Sequence, residues 1–127
     1  IIGCLNNYVD GWIDWNMVLD TQGGPNWFKN WCVAPVIVDP EKDEVYFTPI
    51  FYTLSHFSRF IRPNAVRIGI HNPDKDLLIT AAKNVDGTIA VVVFNEGKVK
   101  KNMKLIIDSK SVAISISEQA IQTIIIQ

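Results

Sequence analysis

A chain of 127 residues, 48% hydrophobic and 20% charged, is long enough for a real core and too apolar to be disordered. Its net charge of −1 provides no electrostatic footprint for nucleic acid or an anionic membrane surface. No apolar run approaches the ~18 residues of a membrane-spanning helix. Ile1-Ile2-Gly3-Cys4 also lacks the basic start and cleavage pattern of a signal peptide, and reads as a start in mid-domain.

Tyr8 to Trp15 reads as a strand that ends in aromatic and polar residues. The loop Leu19-Asp20-Thr21-Gln22-Gly23-Gly24-Pro25-Asn26 follows, rich in turn formers. This window sets Trp12, Trp15 and Trp27 among Asp and Asn side chains. Flat apolar faces beside amide and carboxyl groups suit a sugar ring, which offers C–H surface for stacking and hydroxyls for hydrogen bonds. The same aromatics would equally serve a core. Trp12 and Trp15 fall on opposite faces of a strand, so both enter one core only if the backbone deviates. No glutamate occurs before Glu41. Asp10 and Asp14, four apart on a strand, would lie ~13 Å from each other at ~3.3 Å per residue. A retaining glycosidase needs its two carboxyl groups ~5 Å apart, so a structural bond to backbone or arginine is the plainer role for each.

Val36-Ile37-Val38 is a short apolar run closed by Asp39-Pro40, and Glu41, Asp43 and Glu44 read as a solvated acidic loop. A helix is predicted over Thr48 to Ile61, with Thr48 as N-cap and Pro49 at the first helical position. Ile50, Leu54, Phe57 and Ile61 recur at helical spacing, and Phe51 and Phe60 widen the stripe. So apolar a helix must pack onto something large.

The grammar changes at Arg62-Pro63-Asn64, after all four tryptophans. Strands are predicted at Val66–Ile70, Leu77–Lys83, Thr88–Asn95, Met103–Asp108, Ser111–Ser117 and Ala120–Ile126. Asn84-Val85-Asp86-Gly87 is a hairpin turn with glycine available for positive φ. Ile89 to Phe94 is apolar at every position, which predicts a central strand covered on both faces. Val112, Ile114 and Ile116 alternate with Ala113 and Ser115, giving one buried face. Six short strands suggest a β-sandwich, incomplete because seven or more are usual.

His56 and His71 have no partner at metal-ligand spacing, and no phosphate loop, Ser/His/Asp set or Cys-x-x-Cys occurs, so neither metal nor cofactor is expected. Cys4 and Cys32 are either two free thiols or one disulfide. No Asn-x-Ser/Thr acceptor site is present.

Five strings then carry a resemblance: Gly11-Trp12-Ile13-Asp14-Trp15-Asn16, Gly23-Gly24-Pro25-Asn26-Trp27, Pro35-Val36-Ile37-Val38-Asp39, Pro49-Ile50-Phe51-Tyr52 and His56-Phe57-Ser58-Arg59-Phe60-Ile61. They resemble the C-terminal third of the glucosylceramidases of glycoside hydrolase family 30, without gaps from about Tyr8 to Ile70 and more loosely beyond. The resemblance implies an α/β plus β architecture, the C-terminal end of a (β/α)8 TIM barrel followed by C-terminal strands of a β-sandwich. Residues 1–63 would be the last strand, loop and helix of the barrel, and residues 64–127 part of the sandwich.

It further implies a retaining β-glucosidase whose nucleophile and acid/base glutamates lie on earlier strands, upstream of Ile1. Trp15 would stack on the glucose ring, Asn30 would hydrogen-bond beside it, Asp14 and Asn16 would brace the strand end, and Trp12 and Trp27 would serve packing. A non-proline cis peptide after Trp15 is implied as well. The substrate would be glucosylceramide or a related β-glucoside, with a saposin-like activator and an anionic lipid surface as partners and a lysosomal or endomembrane location. The chain alone would be inactive. Departures at Asn6, Asn7, Asp10 and Cys32-Val33 bear on the leaving group rather than the fold. The rival reading is a non-catalytic carbohydrate- or protein-binding β-module with the first half as a packing arm.

Overall fold

A computed structural model of the chain describes residues 1–29 and 31–127. Its elements are α1 (Ile2–Asn6), β1 (Val18–Asp20), β2 (Val36–Asp39), β3 (Glu44–Phe47), α2 (Pro49–Ser58), β4 (Val66–Ile68), β5 (Leu77–Lys83), β6 (Ile89–Asn95), β7 (Lys101–Ile107), β8 (Lys110–Ile116) and β9 (Ala120–Ile126). The strands form a three-stranded sheet β1-β2-β3, a four-stranded sheet β4-β5-β6-β9 and the hairpin β7-β8. β1 and β2 are parallel; every other pair is antiparallel.

The sandwich follows from the strand patterns. β6 lies between β5 and β9, and its residues are apolar on both faces because both faces are covered. On one face Val91 and Val93 join Leu77, Ile79 and Ala81 of β5 and Ile116 of β8 in a buried cluster. Met103 and Leu105 of β7 and Ile124 and Ile126 of β9 pack around it. On the other face Thr80, Ala82, Ala90 and Val92 are buried where α1 meets β5 and α2 meets β9. The small side chains at positions 82 and 90 let the helices approach.

All six predicted strands of the second half form, two of them with the predicted bounds and the others shifted by one or two residues. The Asn84–Gly87 turn is present: the Asn84 amide N–H donates to the Thr88 carbonyl at 2.8 Å, and Gly87 has φ +88°. The expected buried face of β8 holds only at one end. Ile116 is buried, Ile114 half-buried, and Val112 is 48% exposed, because the hairpin leaves the sheet towards its turn.

Two polar clusters close the loops of this layer. Asn95 is fully buried; its Nδ2 donates to the Val99 and Ser117 carbonyls at 2.9 Å each, and its Oδ1 accepts the Gly97 amide at 3.0 Å. The Lys101 ammonium lies 2.7 Å from Asp76 and 3.0 Å from Asp74, tying the start of β7 to the loop before β5. Those two carboxylates raise the Lys101 pKa, and Lys101 holds the Asp74 carboxyl below its usual range.

The first half departs more from expectation. Tyr8–Trp15 is not a strand: residues 9–14 have no regular structure, and the ladder begins only at Val18. A strand exists through its hydrogen-bonded neighbour, and no described strand pairs with this segment. Upstream, Ile2–Asn6 forms a helix that no cap signalled. The acidic segment is not all loop. Asp39 accepts the Glu41 and Lys42 amides at 3.2 and 3.3 Å, and β3 returns antiparallel from Glu44. Thr48 occupies the N-cap position without capping; its hydroxyl donates to the Ala34 carbonyl at 2.9 Å, fixing the helix start to the entrance of β2. The helix ends at Ser58, three residues early, and continues as a turn in which the Ile61 amide bonds the Phe57 carbonyl.

Three polar contacts join the halves. Asn6 Nδ2 donates to the Ile79 carbonyl at 2.8 Å, and His56 Nδ1 lies 2.8 Å from Thr123 Oγ1. Asn84, buried, donates to the Phe60 carbonyl at 3.0 Å and accepts the Arg62 amide at 3.0 Å.

Candidate substrate-binding segment

Trp15 stands just before β1, in the segment that lacks a ladder partner, and is 85% exposed. Asp14 turns its carboxylate back on the chain: Oδ1 accepts the Trp15 amide at 2.8 Å, so this aspartate fixes the backbone that carries the indole. Asn16 is half-buried beside it. Asn30, the other residue expected to meet the sugar, lies outside the described residues.

The expected cis bond after Trp15 is not found. The Trp15–Asn16 peptide is trans, and the cis bond of this region is Gly24–Pro25. A non-proline cis peptide costs ~3–4 kcal/mol and persists only where its surroundings over-determine it. An indole this exposed supplies no such constraint. The assignment of Trp12 and Trp27 to packing also fails within this chain, since they are 48% and 97% exposed. Trp31 is 71% exposed, so all four indoles reach the surface.

The loop after β1 is organised by a residue that the sequence reading left among the turn formers. Asp20 Oδ1 accepts the amides of Gln22 and Gly24, each at 2.8 Å, while the Asp20 amide donates to the Gly24 carbonyl at 2.8 Å. Gly23 has φ +72° and lies against the far end of the loop: a Cβ there would be 2.8 Å from the Cys32 nitrogen and 3.1 Å from the Trp31 Cα. Only glycine fits that approach. The available signal was an aspartate at a strand end before Gly-Gly-Pro, the side-chain acceptor of an Asx turn. Cys32 is a free thiol, as is Cys4.

The concave places lie elsewhere. A cleft of about 450 Å³ opens between α1, the end of α2 and β4–β5, with Tyr8, Asp10, Arg62 and Arg67 at its wall. The Arg67 guanidinium sits 4.7 Å from the centre of the Tyr8 ring. A larger apolar cleft of about 790 Å³ lies between the sheet and β7, along the uncovered part of the sandwich interior. Trp15 lines neither. His56, isolated in sequence, is a junction residue, and burial lowers its pKa. Among the described residues no group of three His, Cys, Asp or Glu could hold a metal ion. None of the helices is long and apolar enough to cross a membrane.

Comparison with known proteins decides the family. The model of the glycosyl hydrolase family 30 TIM-barrel domain matches residues 1–61, and that of the family 30 beta sandwich domain matches residues 64–124. The chain belongs to glycoside hydrolase family 30. Within family 30 its first part is the C-terminal end of the TIM barrel, and its strand-rich remainder belongs to the β-sandwich. Putative glucosylceramidase 4 of Caenorhabditis elegans is 40% identical over 101 residues, which cover 78% of this chain and 20% of the relative. Lysosomal acid glucosylceramidase of Mus musculus is 44% identical over 96 residues, 75% of this chain and 19% of the relative. Among solved structures, SrfJ from Salmonella typhimurium superposes with a TM-score of 0.96 at 28% identity, over 99% of this chain and 28% of that one. The chain thus spans about a fifth of the length of these curated family 30 relatives.

Proposed function

We propose that this chain is the C-terminal part of a retaining β-glucosidase acting on glucosylceramide-like β-glucosides, divided near residue 63 into the last unit of the barrel and the sandwich. The observation that carries the reading is the exposed Trp15 indole, held at its backbone by Asp14, in a segment of family 30 barrel. TIM-barrel enzymes build their sites at the C-terminal face from the loops that follow the strands. The names of the glucosylceramidase relatives in worm and mouse point to the substrate class.

Retention requires a carboxylate nucleophile and a second carboxyl group that serves first as acid and then as base. No glutamate precedes Glu41, and the Asp14 carboxylate is engaged by the Trp15 amide. Both catalytic glutamates therefore lie upstream of Ile1 in this reading, and the chain supplies a wall of the pocket. Trp15 presents its ring to the C–H face of the glucose, Asn30 hydrogen-bonds a hydroxyl, and Asp14 and Asn16 hold the Trp15 backbone. Orienting the sugar in this way lowers the barrier without these residues exchanging a proton. A saposin-like activator, an anionic lipid surface and a lysosomal location complete the proposal, supported by the name of the mouse relative.

The test compares the full-length protein with this chain on an aryl β-glucoside, following product anomer by NMR. Turnover with retention by the full-length protein and none by the chain is expected. Turnover by the chain alone, or none by the full-length protein on any β-glucoside, overturns the proposal.

A further inference from the structure

We propose that Asp20 is the positioning residue of the pocket loop, a role that rests on the reading of Trp15 and Asn30 given above. Asp20 is the last residue of β1, paired in register with Val38 of β2, so its backbone belongs to the sheet. Its carboxylate leaves the sheet and gathers the start of the loop, accepting the Gln22 and Gly24 amides on a single oxygen. The backbone closes the same turn twice more, from the Asp20 amide to the Gly24 carbonyl and from the Gly23 amide to the Asp20 carbonyl at 3.0 Å.

The turn then touches the other end of the loop. Gly23, buried, presents its bare α-carbon to the Cys32 and Trp31 backbone at a distance that excludes a side chain. The segment between Gly24 and Cys32 is thereby pinned at both ends to one carboxylate-held turn. Trp31 stands at the second contact, and Asn30 is its neighbour in sequence. A loop closed in this way has few conformations left, and a side chain it carries is delivered to a ligand already ordered. Acceptors that are ionised make stronger hydrogen bonds than neutral ones, which suits a carboxylate holding two amides. Removing Asp20 frees the Gln22 and Gly24 amides and lets the contact at Gly23 open.

The experiment uses the full-length protein with Asp20→Ala, Asp20→Asn and Gly23→Ala. An aryl β-glucoside gives the kinetics, and hydrogen exchange follows the amides of residues 21–35. Asp20→Ala and Gly23→Ala should raise KM about tenfold with kcat within about threefold, and speed exchange in the loop. Asp20→Asn keeps an acceptor oxygen and should restore KM to within about threefold of the wild type. Faster exchange with an unchanged KM overturns the proposal while leaving the glucosidase reading intact. Unaltered exchange in Asp20→Ala overturns it as well. A wild-type protein inactive on every β-glucoside removes the underlying reading and the role of Asp20 with it.

Discussion

His56 of α2 and Thr123 of β9, 67 residues apart in sequence, meet across the two halves with Nδ1 2.8 Å from Oγ1. β9 carries no charged side chain, and burial alone lowers the imidazole pKa below the usual 6.5. As pH falls, the unfolded chain takes up this proton before the folded one does. The contribution of His56 is therefore intact above its unfolded value and is lost as pH drops through the lower folded value. Thermal melts of the full-length protein from pH 7.5 to 4.5 should show the wild type losing stability more steeply than His56→Gln. Parallel curves would refute the assignment.

Asn84→Ala removes a side chain that satisfies the Phe60 carbonyl, the Arg62 amide and the Thr88 hydroxyl at once. Leaving such groups unpaired costs ~1–3 kcal/mol each where they are buried, so a total loss of about 2–4 kcal/mol is expected. Urea unfolding of the full-length protein reads this as a lower midpoint with an unchanged slope.

Val93→Thr places a hydroxyl in the buried cluster between the sheet and the hairpin at nearly constant volume. With no partner there the cost should be ~1–3 kcal/mol. The same exchange at Val112, half exposed at the other end of the hairpin, should stay within about 0.5 kcal/mol. Equal effects at the two positions would contradict the burial described for β8.

Trp15→Ala separates a pocket residue from a core residue. An indole with this exposure contributes little to folding, so the melting temperature of the full-length protein should fall by no more than about 2 °C. Loss of a stacking face should lower kcat/KM about 10- to 100-fold, for ~1.5–3 kcal/mol of aromatic contact. A core role would give the reverse: lower stability with the folded fraction binding substrate normally.

The legible and illegible parts of this chain differ for a physical reason. Leu77–Lys83, Ile89–Asn95 and Ala120–Ile126 announced themselves because each finds its ladder partners nearby in sequence and its burial in its own pattern. Tyr8–Trp15 carries strand-like residues, but ladders are made between segments, and this one has no partner among the described strands. Glu44–Phe47 was hidden among acidic neighbours, and α1 is a single short helix with no side-chain cap. In the candidate site, residue chemistry singled out Trp15 and Asp14, whereas Asp20 was visible only as a turn former. Its role depends on Gly23 meeting Cys32, a contact across nine positions that no periodicity encodes.

Asn6 and Asn84 both hand their amide hydrogens to main-chain carbonyls of the opposite half, at Ile79 and Phe60. Any residue type at position 60 or 79 still presents that oxygen. The junction therefore tolerates sequence drift on its receiving side, while the two asparagines have no substitute of equal reach and donor geometry. Joined this way, barrel end and sandwich can diverge separately and still meet in the same orientation.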